Sequence, residues 1–182
     1  VPAICVYCSS SEGIDPGYLG LAAEVGHELA RRGHSLVSGG GAVSMMGAVA
    51  RAARAGGAWT LGVIPQALMD LEVADHDADE LVVVGDMRAR KQHMDDAAAA
   101  FLALPGGIGT LEELLEVWTS RSLGMHAKPV VVLDPDGFFD LLRDQLALML
   151  ARGFVRPPAL AALQWATTVQ GALDLIEAAL AA

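Results

Sequence analysis

The 182-residue sequence is short of positive charge: 12 lysines and arginines face 22 aspartates and glutamates, a formal net charge of −10. So acidic a chain is a poor non-specific ligand for nucleic acid or an anionic membrane surface. An anionic small molecule would need a local cationic patch. No apolar run approaches the roughly 18 residues that a spanning helix needs. No charged stretch leads into an apolar one as a secretory signal does, so cytoplasmic residence is the expectation. Lysine is nearly absent: only Lys91 and Lys128 occur. Neither sits in a context that suggests the Schiff base of a pyridoxal-phosphate enzyme.

Cysteine is equally scarce. Cys5 and Cys8 form a lone C-x-x-C, with no second pair to complete a zinc site. They fall in "AICVYC", which reads as a buried first strand, where positions three apart point to opposite faces. Two buried thiols are expected, not a redox or metal pair. His27, His34, His76, His93 and His126 show no metal-ligand spacing, and no metal is expected.

What is present is apolar: 53 % of residues are hydrophobic and 19 % charged, the composition of one compact domain over residues 1–182. Strands are expected at 3–7, 34–38, 60–64, 80–84, 100–104, 129–133 and 165–169. Helices are expected at 16–32, 45–56, 87–98, 110–124, 138–152 and 170–181. Near-continuous apolar strands alternating with helices require a parallel sheet covered on both faces. The fold class is therefore α/β, a Rossmann-like three-layer sandwich with a central parallel sheet of about seven strands.

Ligands in such folds sit beyond the carboxyl ends of the strands. Three loops there are rich in small residues that let backbone approach a ligand: "CSSSEG" (8–13), "SGGGAVSMMG" (38–47) and "PGGIGT" (105–110). The second is no dinucleotide fingerprint. Ser44 takes its third glycine position, and no acid follows about 20 residues on to hold a ribose. The third lacks the G-K-[ST] of a P-loop. Together the three loops point to a nucleotide or phosphate-ester site.

Two charged clusters flank these loops. Thr110 and Glu113 have the T-x-x-E spacing of a capping box, in which each satisfies an amide of the first helical turn. Spacing alone favours that role for Glu113 slightly over a catalytic one. Leu111, Leu114, Leu115 and Trp118 are expected to form the buried stripe of the same helix. In "GDMRARKQHM" (85–94), Arg88, Arg90 and Lys91 fall in the first turns of a helix capped by Asp86. Cations oppose the dipole there, at a cost of a few tenths of a kcal/mol each. They are either a solvated face neutralised by the acidic stretch 70–80, or groups that meet an anion or a leaving group.

"PGGIGTLEE", with "MRARK" some fifteen residues before it, resembles the Lonely Guy family of cytokinin riboside 5′-monophosphate phosphoribohydrolases. The likeness extends through "VYCSSS", "SGGGAVSMMG", "IPQALM" and "LGMHAKPVVVL". It implies hydrolysis of the N-glycosidic bond of an N6-modified AMP, and of AMP, to free base and ribose 5-phosphate. It matches Arg90 and Glu113 to catalytic positions. It matches Glu72, Lys91, Thr119 and the turn Gly107, Ile108, Gly109, Thr110, Leu111, Glu112 and Glu113 to substrate-binding positions. Backbone from Gly106 to Thr110, with the Thr110 hydroxyl, would hold the 5′-phosphate. It further implies a homodimer and neither a metal nor an organic cofactor. Two residues depart from the family pattern: Ser44 stands where glycine is frequent, and Arg88 where histidine is. The rival readings are a non-catalytic nucleotide or cofactor carrier of the same fold and, more remotely, lysine decarboxylation.

Overall fold

A computed structural model describes residues 1–71 and 73–182. Seven strands, β1 (Ala3–Tyr7), β2 (Ser35–Ser38), β3 (Thr60–Pro65), β4 (Glu80–Val84), β5 (Ala100–Ala103), β6 (Val130–Leu133) and β7 (Leu163–Ala166), form one sheet in the order β4-β3-β2-β1-β5-β6-β7. Every pairing is parallel. β1 lies between β2 and β5, with Ile4 opposite both Leu36 and Ala100.

The helices are α1 (Pro16–Arg31), α2 (Ser44–Ala55), α3 (Met87–Ala97), α4 (Ile108–Ser122), α5 (Asp140–Ala151), α6 (Pro157–Ala161) and α7 (Val169–Leu180). Their apolar faces divide between two cores. Val25 and Leu29 of α1, Val49 of α2 and Leu173 and Ile176 of α7 pack on one face of the sheet. Met94 of α3, Leu114 and Val117 of α4 and Leu146 of α5 pack on the other. Cys5 and Cys8 are free, buried, and belong one to each core, as strand alternation requires.

The last strand departs from expectation. It ends at Ala166, because the Thr168 hydroxyl accepts from the Gly171 N–H (3.1 Å) and caps α7. The short helix α6 begins with Pro157 and Pro158, prolines that fit a first helical turn as readily as a loop.

The chain lays down β1 to β4 in one direction and then crosses back to place β5 against β1. Neighbouring loops therefore diverge above β1 and β5, and such a reversal opens a crevice at the carboxyl ends.

At the opposite edge, the last helix is tied on by charge. Arg32 donates to Glu28 (2.7 Å), Asp174 (2.7 Å) and Glu177 (2.9 Å). His34 Nε2 meets Glu177 Oε1 at 2.7 Å. Hydrogen bonds from Arg31, and then from Arg32 against the opposing effect of burial, hold the Glu28 carboxyl at about 2. A carboxylate with a depressed value contributes stability above its unfolded pKa and loses it as the pH falls through the folded one. Glu28→Gln should therefore lower the melting temperature by several degrees at pH 7. In melts at successive pH values the gap should narrow from about 4.5 downward. A gap independent of pH would contradict this ion-pair account.

Candidate active site

Helix α4 begins two residues earlier than its sequence suggests. Gly107 is the N-cap, no side chain caps it, and the first turn closes with Leu111 N–H on the Gly107 carbonyl (3.1 Å). Thr110 is thus the third helical residue and Glu113 lies a turn further in, so the capping box is not formed. T-x-x-E spacing recurs one turn inside a helix as readily as at its cap, and packing decides between them. The Thr110 side chain is buried against Gly106, where an added Cβ would sit 2.1 Å from Thr110 Oγ1. Gly106 is glycine to admit Thr110.

Two consequences follow. The N–H groups of Ile108, Gly109 and Thr110 have no carbonyl one turn back to bond, and they mark the positive end of the helix dipole. Glu113, relieved of capping, is half-buried. Burial, and after it the charge of Glu113, pushes the Cys5 and Cys8 thiols up. Glu113 and Cys8, just past β1, line the same cleft, and thiols held protonated in this way are poor nucleophiles. The buried stripe of α4 is Thr110, Leu114, Val117 and Trp118, while Leu115 is 40 % exposed. It is rotated from the expected stripe because Thr110, not Leu111, turns fully inward.

Across the crevice, α3 is capped by Asp86, whose carboxylate accepts from the Ala89 N–H (2.8 Å). From the first turn, Arg90 folds into the protein and is 3 % exposed. Its Nε donates to the Val63 carbonyl (3.0 Å) and its Nη2 to the Gly39 carbonyl (2.6 Å). The Gly39 carbonyl follows the end of β2, and the Val63 carbonyl lies in β3 one residue beyond the last β2–β3 pair, Ser38 with Gly62. A Cβ on Gly39 would lie 2.2 Å from Nη2. Gly39 therefore makes room for a protein cation, where the sequence reads as a loop opened for a ligand. A solvated basic face does not describe Arg90.

Lys91 takes a different path. Its ammonium bridges Glu112 and Glu116 (2.5 Å to the latter), whose hydrogen bonds raise the lysine pKa. It latches α3 to α4.

A cleft of about 190 Å³ opens between these walls, where the loops that follow β1 and β5 diverge. Arg90, Glu112 and Glu113 line it with Gly107, Ile108, Gly109 and Thr110. Ser9, Ser10 and Ser11 close one side; the "CSSSEG" loop signalled this region, but no single serine stood out. Gly106 faces an adjoining hollow, and Leu111 packs against the core. Thr119 lines a separate hollow with Ser122 and Phe154. Glu72 lies outside the described residues. Among the described residues, no group of three His, Cys, Asp or Glu could hold a metal ion.

A family model described as "possible lysine decarboxylase" matches residues 46–176. The chain is 53 % identical over 170 residues to a cytokinin riboside 5′-monophosphate phosphoribohydrolase of Mycobacterium tuberculosis, covering 93 % of this chain and 90 % of the relative. An enzyme of the same name from Mycobacterium marinum is 55 % identical, covering 86 % and 83 %. One from Arabidopsis thaliana is 47 % identical, covering 86 % and 72 %. Among solved structures, a molybdenum cofactor binding protein of Rippkaea orientalis shares the fold, with a TM-score of 0.74 at 24 % identity over 97 % of this chain and 96 % of that one.

The two glycine environments predict opposite effects on stability. Gly39→Ala drives a methyl into a buried guanidinium and should lose about 1–3 kcal/mol, the range for overpacking. A Cβ at Gly109 meets nothing within 4 Å, so Gly109→Ala should leave stability unchanged or slightly raised. Denaturant titration of both variants checks the contrast.

Proposed function

The chain belongs to the Lonely Guy family of cytokinin riboside 5′-monophosphate phosphoribohydrolases, and we propose that Arg90 and Glu113 carry its chemistry. The enzyme hydrolyses the N-glycosidic bond of N6-modified AMP, releasing free base and ribose 5-phosphate; AMP itself is a substrate of the same form. The observation that carries this reading is a half-buried carboxylate, Glu113, lining one cleft with a buried guanidinium, Arg90.

The 5′-phosphate binds at the start of α4, where the amides of Ile108, Gly109 and Thr110 and the helix dipole meet an anion. Gly106, Gly107 and the Thr110 side chain shape that turn. Binding energy at the phosphate orients the ribose. Glu112 belongs to the ribose and base side of the same pocket, with Lys91 holding it in place; the family likeness matches Leu111 and Glu72 to substrate-binding positions as well. Glu113 faces C1′, where positive charge develops as the bond to the base breaks, as in other oxocarbenium-like glycosyl transfers. It also takes the proton of the attacking water. Arg90, already fixed by two carbonyls, stabilises the negative charge that collects on the departing purine without reorganising.

A homodimer is part of this reading. Leu123 and Met125, 62 % and 73 % exposed, lie together where α4 ends and offer apolar surface to a second copy. Thr119, on the same helix, then serves the substrate of the neighbouring subunit. The lysines speak against decarboxylation through a Schiff base. Lys91 is held by Glu112 and Glu116, and Lys128 donates to the Asp95 carbonyl at 2.5 Å. A simple carrier needs no carboxylate opposite Arg90.

Incubation with N6-isopentenyl-AMP should yield free base and ribose 5-phosphate. Glu113→Gln should lower kcat by at least about 10²-fold, the scale of a lost general base, with little change in melting temperature. Glu112→Gln is the control. If it alone loses turnover, Glu112 is the catalytic carboxylate. AMP should be cleaved and adenosine should not, and Gly109→Ala should raise KM for AMP severalfold. Comparable kcat/KM for AMP and adenosine would remove the phosphate from the account.

A further inference from the structure

Ser44 begins α2 with a φ of 52°, in the left-handed region that glycine enters freely and an L side chain resists. Among the described residues, only Val73 (φ 48°) shares this behaviour without being glycine. The two lie close together, since the Ala42 N–H donates to the Val73 carbonyl (2.7 Å). Such strain persists only where surrounding contacts enforce it.

The enforcing contact at Ser44 is visible. Its hydroxyl donates to the Ser11 carbonyl at 2.6 Å, a bond that glycine could not make. Residues 9–11 wall the cleft. They are held otherwise by the Met46 N–H on the Ser9 carbonyl (3.2 Å) and by the Ser11 N–H on Ser9 Oγ (3.0 Å). Ser44 thus fixes the far end of a three-residue turn whose near end is tied to α2 by Met46.

We propose that Ser44 is a positioning residue whose hydroxyl clamps residues 9–11 in the cleft-lining conformation, setting substrate affinity and leaving the chemical step alone. Without the clamp, the turn must be ordered when substrate binds, and that ordering weakens affinity. The inference rests on the cleft being the nucleotide site.

Ser44→Ala keeps the left-handed strain and loses the bond; Ser44→Gly loses both. The Ala variant should melt below the wild type, and the Gly variant at or above the Ala variant. Both should raise KM for N6-isopentenyl-AMP about 3- to 10-fold, the scale of one hydrogen bond, with kcat within about twofold of wild type. Amide hydrogen exchange should quicken across residues 9–13 and at Met46 in both. A Gly variant with wild-type KM and wild-type exchange in that turn would overturn the proposal, as would a fall in kcat at constant KM. If the wild-type enzyme releases no base from the nucleotide, the phosphoribohydrolase reading fails, and the exchange comparison still decides the clamp.

Discussion

Two backbone carbonyls, those of Val63 and Gly39, hold the Arg90 guanidinium in a place where it is 3 % exposed, and much of the molecule is arranged around that burial. A desolvated cation costs several kcal/mol unless its donors are satisfied. Because β2 stops pairing with β3 at Ser38 and Gly62, the carbonyls of Gly39 and Val63 beyond that pair are left to accept from Arg90. The requirement reaches into the sequence: residue 39 must lack a Cβ, and α3 must carry a cation in its first turn against its own dipole. Asp86 at the N-cap offsets that placement.

The opposing wall has the reverse polarity. The start of α4 offers first-turn amides at the positive end of the helix dipole, and one turn later it places Glu112 and Glu113 at the cleft. Lys91 couples the two walls, since its ammonium crosses from α3 to Glu112 and Glu116 on α4. One pair of adjacent residues therefore does two separate jobs. Arg90 turns inward to line the cleft, and Lys91 runs between helices to tie α3 to α4. A phosphorylated nucleoside has its anion at one end and its leaving group at the other, which matches this division of charge.

Much of this was legible beforehand. Apolar runs such as "PVVVL" have one period and one plausible environment, so six strands were placed within a residue of their observed limits. The rule that ligands sit beyond the carboxyl ends of parallel strands points to the right end of the sheet, whereas the strand order that seats β5 against β1 is visible only in the fold. Local spacing is a poorer guide where two turns of a helix carry the same pattern: T-x-x-E suggests Thr110 at the cap, whereas the cap is Gly107, one turn earlier. Charge and spacing alone do not separate Arg90 from Lys91; the family likeness does, and the structure parts them through the carbonyls around Arg90 and the carboxylates around Lys91. Ser44 looked like a small departure from a glycine-rich loop. Its backbone angle and its bond to Ser11 depend on the packing of two loops 33 residues apart.

The central claim is that Arg90 acts through the fixed planar geometry of its guanidinium and not through charge alone. An ammonium keeps the charge but cannot reproduce the fork that meets two carbonyls and a departing purine together. The kcat of Arg90→Lys on N6-isopentenyl-AMP tests this directly, with a thermal melt to show that the fold is retained. The account predicts a fall of at least about 10²-fold, comparable to loss of one preorganised donor at a developing negative charge. A folded Arg90→Lys enzyme that turns over within a few-fold of the wild type would contradict it.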